Sequence, residues 1–557
     1  MALSKRILTV VSASAILASC GAPAIISTPI ENIDSVPLKN SELTEDQLKS
    51  WAFSDLVTDT IPGMSIDKAY NEIIKNRKGQ TVIVGVIDSG VDIEHEDLKN
   101  VIWINTKEIK GNGKDDDNNG YVDDVYGWNF LGDTECENLE FTRIMKKLKP
   151  KYEGKFLSSV AEEDKGEYQN YIEAKAEFEK EYQETSSNKF QYEQILQQTK
   201  VSHESVTSIL GKENYTHKEL MQLETEDKEV EYHMAFLSQM FSFLEPGDTI
   251  PEFIEAITSD LGIFEEKLSC DLNLELNARK NVGDNVDDIK DVGYGNNNVM
   301  GPDSTKKGIK HGTHVAGIIA AERNNGIGMN GVAKNVKIMA VRAVPNGDEY
   351  DKDIALAIRY AVDNGAEVIN TSFGKYFSTH PEWVREAIKY AASKDVLIVN
   401  AAGNETEDLD QKAVYPNDQF DQEPEVANNF ITIGALNFEY GSNLAAPFSN
   451  YGKNNVDAFA PGVEIWATTP NNSYDFLDGT SMAAPTVAGV AALIRSYYPK
   501  LKAFEVKKIL MDSGLNTKTD VVIGRDPNKI KSFSELSKSG KMVNLYNALI
   551  MADKMSK

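Results

Sequence analysis

Gly479-Thr-Ser-Met-Ala-Ala-Pro-Thr-Val-Ala-Gly489 is a turn of small residues that runs through Ser481 straight into an apolar helix. A serine there has two readings. Its hydroxyl can cap the helix by accepting from an N–H that the first turn leaves unpaired, or it can be a nucleophile presented at the helix mouth. Three other segments decide between them. Thr81-Val-Ile-Val-Gly-Val-Ile-Asp-Ser-Gly90 is a near-continuous apolar run that ends in Asp88, as expected of a buried parallel strand delivering a carboxylate at its edge. His311-Gly-Thr-His-Val-Ala-Gly-Ile-Ile-Ala-Ala321 sets one imidazole at the start of a small-residue helix and His314 three positions on. Val396-Leu-Ile-Val-Asn-Ala-Ala-Gly-Asn-Glu405 is another apolar strand, opening into a tight turn that carries the amide of Asn404.

Each segment alone is compatible with an ordinary turn or a packed side chain. Jointly they supply an acid, a base, an amide donor and a nucleophile at the ends of different core elements. The order Asp, His, Ser is one of the known orders of a catalytic triad. With these motifs the chain resembles the subtilases, the subtilisin-like serine proteases. The resemblance rests on Asp88-Ser-Gly, His311-Gly-Thr-His-Val-Ala-Gly, Ala402-Gly-Asn404 and Gly479-Thr-Ser-Met-Ala-Ala-Pro485. It implies that Ser481 is the nucleophile, His311 the general base, Asp88 its orienting acid and Asn404 the oxyanion donor. Spacing does not choose between the two histidines; the family motif opens on the base, which selects His311 and leaves His314 to helix packing.

The same resemblance implies the substrate site. Asn370-Thr-Ser-Phe-Gly374 matches the segment whose backbone pairs with an extended peptide. Ser372, Phe373 and Gly374 would form one wall of the pocket for the residue before the cleaved bond, with Ala401, Ala402 and Gly403 opposite. Glu405 falls where a pocket-floor residue is expected, which would admit a basic or large polar side chain.

Two clusters suggest calcium. Asp115-Asp-Asp-Asn-Asn-Gly-Tyr-Val-Asp-Asp124 crowds Asp115, Asp117, Asn119 and Asp123 into one loop, where the carboxylates repel unless a cation neutralises them. No helical flanks or twelfth-position Glu make it a helix-loop-helix site. The second set, Asp97 with Asn325, Ile327 and Met329, is carried over from the family's calcium loop, which here is one residue longer.

Lys5 and Arg6 precede an apolar run over 7–17, too short to span a bilayer, which reads as a signal peptide over 1–19. Leu17-Ala-Ser-Cys20-Gly resembles a bacterial lipobox, so Cys20 is expected to carry a lipid and tie the protein to the cell envelope through a tether over 20–50. That stretch leaves no room for a folded inhibitory propeptide. With Cys20 assigned, the cysteine total of 3 leaves Cys136 and Cys270, which fit a disulfide or two buried thiols nearly equally.

Asp88 and His311 stand 223 positions apart. Residues 133–278 between them are rich in Glu, Lys and Gln, with apolar residues at helical spacing in Tyr168, Tyr171, Phe178 and Tyr182, and again in Phe236, Leu237, Met240, Phe241 and Leu244. They read as a helical insertion, either a packed decoration or a surface for an unidentified partner. Residues 51–132 and 279–557 alternate strand and helix, over 336–344, 353–364, 366–373, 382–395 and 396–403, then helices over 480–498 and 502–513. The expected fold class is therefore α/β: a parallel sheet flanked by helices, with the insertion between the catalytic Asp and His.

The balance of 58 Lys and Arg against 86 Asp and Glu gives −28, which disfavours nucleic acid and suits cation binding. The expected activity is a serine endopeptidase acting on protein or peptide substrates. The alternatives are an envelope scaffold that works through its insertion, and an esterase or ligase using the same serine.

Overall fold

The apolar run that ends at Asp88 is the strand around which the chain is organised. The computed structural model describes residue 25 and residues 27–39, 41–245, 247–419 and 424–557; the expected signal peptide and Cys20 lie outside them. Three short helices, α1 (Glu45–Ser50), α2 (Leu56–Asp59) and α3 (Ile66–Ala69), lead into β1 (Val82–Asp88), and β2 (Gly127–Asn129) precedes the insertion. The insertion holds α4 (Glu140–Tyr152), α5 (Lys165–Leu210), α6 (His217–Met221), α7 (Lys228–Phe241) and α8 (Ile250–Ser269). Then come α9 (Lys310–Ala320), β3 (Val336–Arg342), α10 (Asp351–Asp363), β4 (Val368–Thr371), α11 (Pro381–Ser393), β5 (Leu397–Ala401), β6 (Phe430–Leu436) and β7 (Ala458–Pro461). A hairpin of β8 (Ile465–Thr469) and β9 (Ser473–Leu477) feeds α12 (Thr480–Tyr497) and α13 (Ala503–Asp512). The short strands β10 (Leu515–Asn516), β11 (Asp520–Val522), β12 (Ile530–Ser532) and β13 (Lys541–Met542) and the helix α14 (Leu545–Met555) close the chain.

The main sheet has the order β10-β13-β7-β6-β5-β4-β1-β3-β2 and is parallel except where β10 meets β13. β1 lies between β3 and β4, so the chain leaves it in both directions and the strand order reverses there. Such a reversal opens a crevice at the carboxyl ends of the strands, where open parallel sheets bind ligands. Asp88 ends β1 at that crevice, in register with Arg342 of β3. The strand side chains alternate between two cores because the period of a strand is two. Val82, Val84 and Val86 join the core shared with α9 and α12, while Ile87 joins the one shared with α10 and α11. Burial on both faces is why β1 and β5 read as unbroken apolar runs.

α5, at 46 residues, is about 69 Å long and is the spine of the insertion. Phe141, Ile144, Tyr152, Tyr168, Tyr171 and Phe178 form a core near its base, and Val206, Tyr215, Leu237, Met240 and Phe241 form another at the far end. Tyr182, expected on the apolar stripe, is instead 48% exposed. Cys136 and Cys270 are joined in a disulfide, with a Cα separation of 5.9 Å, which closes the insertion at its base. Beside it the Asn138 amide donates to the Cys270 carbonyl at 2.7 Å.

The expected tether is bound over part of its length. Ile33 is buried, the Ile30 N–H donates to Asn547 Oδ1 at 2.8 Å, and Thr517 donates to Asp34 at 2.9 Å, so this segment packs beside α14.

Candidate active site

Asp88 is 1% exposed, and its Oδ1 accepts from the Ser89 N–H at 2.8 Å and lies 2.7 Å from His311 Nδ1. Its Oδ2 is buried with no hydrogen-bond partner. His311 stands in the first turn of α9, with its side chain 39% exposed toward the crevice. Burial alone would lower its pKa, but the charge of Asp88 and the hydrogen bond to it outweigh burial and hold it above the usual 6.5. The structure thus sets His311 against Asp88. His314 faces the core: its Nε2 contacts the Asp475 carbonyl at 3.1 Å, Nδ1 is unpaired, and burial pushes its pKa down to about 4, so it stays neutral.

Ser481 is the second residue of α12, an 18-residue helix whose N-terminal dipole end favours developing negative charge at the serine. Gly479 caps that helix at φ +149°, a backbone conformation L side chains rarely adopt. The Ser481 hydroxyl donates to the Ser372 carbonyl at 3.1 Å. Asn404 Oδ1 accepts from both the N–H and the hydroxyl of Thr480, at 2.9 and 3.0 Å. Two donors on one oxygen fix which end of the amide is which, and Nδ2 is left as the free donor beside the serine turn. Thr480 in turn accepts from the Gly403 N–H at 3.0 Å, locking the Asn404 turn to the start of α12.

The proposed pocket walls are less uniform than expected. Gly374 and Glu405 are exposed and Gly403 half-buried, whereas Ala401 and Ala402 turn their methyl groups into the core. Phe373 is half-buried against the other core. Ser372 is 2% exposed; its hydroxyl donates to the Ser481 carbonyl at 2.9 Å and accepts from Asn370 Nδ2 at 2.9 Å, so the side chain braces the nucleophile turn rather than lining a pocket. Glu405 Oε2 accepts from the Asn404 N–H at 2.8 Å, from Asn450 Nδ2 at 3.1 Å and from the Tyr376 hydroxyl. Asn450 also donates to the Ala402 carbonyl at 2.9 Å and accepts from the N–H groups of Glu405 and Glu407 at 3.1 and 2.8 Å. Sequence reasoning missed Thr480, Asn450 and Tyr376, of which only Thr480 lies in a recognised motif.

The acidic loop is rearranged relative to expectation. Asp115 and Asp117 converge with Glu108, their oxygens all within 4.8 Å of one another. Glu108 is 8% exposed and its Oε2 is buried without a partner, an orphaned acceptor that a cation would satisfy. Asp123 is diverted: it accepts from the N–H groups of Gly111, Asn112 and Gly113 at 2.7, 3.1 and 2.8 Å. Asn119 donates to Asp124 at 3.0 Å and accepts from the Tyr121 N–H at 2.8 Å. At the second cluster, Asp97 is fully buried and accepts from Asn325 Nδ2 at 2.6 Å and the Met329 N–H at 3.1 Å, while the Ile327 N–H donates to Asn325 Oδ1 at 3.1 Å. The expected residues meet, but Asn325 and Met329 present donors to Asp97.

Residues 79–531 match the subtilase family. The chain is 46% identical over 187 residues to a thermophilic serine proteinase of Bacillus sp. (strain AK1), covering 33% of this chain and 42% of that protein. It is 36% identical over 230 residues to subtilisin DY of Bacillus licheniformis, covering 41% and 78%. With the cell wall-associated protease of Bacillus subtilis (strain 168) it shares 40% identity over 202 residues, 36% of this chain but 20% of that protein. The chain therefore spans less than half the length of the first and third of these relatives. A match over residues 79–531, which carries all four motifs at the crevice, shows that this chain belongs to the subtilase family.

Proposed function

We propose that the protein is a serine endopeptidase that cleaves peptide bonds through an acyl-enzyme. The observation that carries this reading is the 2.7 Å contact between His311 and the buried Asp88, with the amide of Asn404 locked to the start of the helix that carries Ser481. The Ser481 hydroxyl rotates about χ1 from the Ser372 carbonyl to His311 Nε2, which takes its proton as the oxygen attacks the scissile carbonyl. The resulting imidazolium is stabilised by Asp88, whose second oxygen lacks a competing donor. Asn404 Nδ2 and the Ser481 N–H receive the developing oxyanion. His311 then returns the proton to the leaving amine, and water attacks the acyl-serine by the same route.

The peptide backbone pairs with the edge at residues 372–374, which makes the enzyme tolerant of sequence. Glu405, exposed beside Gly403, carries negative charge to the pocket and favours a basic or large polar residue before the cleaved bond. A calcium ion held by Glu108, Asp115 and Asp117 would neutralise the loop and stiffen the approach to β2. Attachment to the cell envelope through a lipid on Cys20 is supported by the sequence around it; among the described residues no helix is long and apolar enough to cross a membrane.

The test is a fluorophosphonate probe with casein as substrate, on wild type and Ser481→Ala. Labelling and cleavage that both disappear in the variant support the proposal. A folded wild type that does neither refutes it.

A further inference from the structure

The strand that forms one wall of the crevice does not stand on the protease core alone. Immediately after Gly374 the chain turns Lys375 inward, where its side chain is 2% exposed. Its backbone pairs both ways with Tyr415, at 2.9 and 2.8 Å, and so ties the 372–374 edge to the neighbouring loop. Lys375 Nζ reaches Glu140 Oε2 at 3.1 Å, Asp351 Oδ1 at 3.1 Å and the Glu349 carbonyl at 2.7 Å. Glu140 is the first residue of α4 and belongs to the insertion; its side chain is 3% exposed.

Glu140 also accepts from Arg143, through Nε at 3.1 Å, and from the Thr379 hydroxyl. Arg143 spends its remaining donors on the carbonyls of Asn138, Asp348 and Glu349, at 2.8, 2.8 and 3.0 Å. Phe141, next along α4, meets the Phe377 ring edge-on at 5.9 Å. From the protease side, Asp351 accepts from the Ser378 hydroxyl and from the N–H groups of Thr379 and His380 at 2.9, 2.9 and 2.7 Å. Residues 375–380 are therefore clamped between the first turn of the insertion and the first turn of α10.

We propose that the insertion positions the substrate-binding edge, and that Glu140 and Lys375 are positioning residues acting on the backbone of Ser372–Gly374. The inference rests on the protease reading above. A buried lysine whose carboxylate partner is removed must move or draw in water, and its backbone is the next link to the wall. The alternative is that the pair merely fastens the insertion to the protease domain.

Three variants of the full chain separate these: Glu140→Gln, Glu140→Asp, and the double change Glu140→Gln with Lys375→Met, which removes the lysine together with the loss of its Glu140 partner while Arg143 keeps its three carbonyl acceptors and Asp351 its three donors. Steady-state kinetics on an extended chromogenic peptide, with active sites counted by fluorophosphonate, are read beside amide hydrogen exchange. The proposal predicts that KM rises about tenfold in Glu140→Gln with a much smaller change in kcat. It also predicts partial recovery in Glu140→Asp, a raised KM in the double variant even where its Tm returns to wild type, and faster exchange at residues 372–376. A KM within twofold of wild type in the double variant, with exchange changed only inside the insertion, would overturn it. Should wild type show no activity, faster exchange at residues 372–376 in Glu140→Gln would keep the clamp and sink the protease reading instead, and unaltered exchange there would sink both.

Discussion

In the proposed mechanism His311 and Asn404, two residues of ordinary type, take their roles from one or two contacts each. His311 works as a base only when neutral, and Asp88 outweighs burial to hold its pKa above 6.5. The sign follows directly: kcat/KM falls as pH drops through a value above 6.5, and activity is full on the alkaline side. The neutral His314 also lies near that ring. A pH–rate profile checks this, and Asp88→Asn should lower turnover by about 10⁴ because the tautomer is no longer fixed. For Asn404 the two hydrogen bonds from Thr480 orient the amide, so Asn404→Ala should cost about 10²–10³ in kcat with little change in KM. A rise in KM of that size with kcat unchanged would mean that the amide holds the ground state and the transition state equally.

At the scale of elements, the acidic loop and the disulfide each make a prediction. Glu108→Gln removes the orphaned buried carboxylate oxygen at the proposed calcium position, and the proposal predicts that any rise in Tm on adding calcium shrinks by about 2 °C or more. Asp123→Asn should destabilise the loop with and without calcium, since Asp123 is spent on three backbone N–H groups. Differential scanning calorimetry with and without chelator distinguishes the two. The Cys136–Cys270 bridge closes a separation of 134 residues, so Cys270→Ser should cost about 2–5 kcal/mol, read as denaturant stability of the oxidised and reduced protein.

These elements also mark what was legible in the chain. β1, β5 and α12 were readable because burial on every side leaves a continuous apolar or small-residue run, and the acid, base and nucleophile sit at the turns that end or begin such runs. The facing of Ala401, Ala402 and Ser372 was not, because a small residue in a strand end gives no sign of which side it turns to until the neighbouring helix is in place. Glu108 was hidden by distance: it lies seven positions before Asp115, across a turn whose closure depends on Asp123. The buried pair Glu140 and Lys375 joins the insertion to a segment over 200 positions later, and no local pattern announces a contact of that kind.

Over the whole molecule, the protease sheet, the insertion and the N-terminal segment are fastened to one another at identifiable points. The insertion is held by the Cys136–Cys270 bridge and the Glu140 cluster, and the N-terminal segment by Asn547 and Thr517 beside α14. The excess of acidic residues, −28 net, makes divalent cations natural counterions at neutral pH. The central claim is that Ser481, His311 and Asp88 form one catalytic unit. The most direct measurement is fluorophosphonate labelling of the protein lacking residues 1–20, followed by identification of the modified peptide, with Ser481→Ala and His311→Ala alongside. The account predicts a single adduct on Ser481, absent in the first variant and strongly slowed in the second. An unlabelled but folded wild type, or an adduct elsewhere that survives Ser481→Ala, would contradict it.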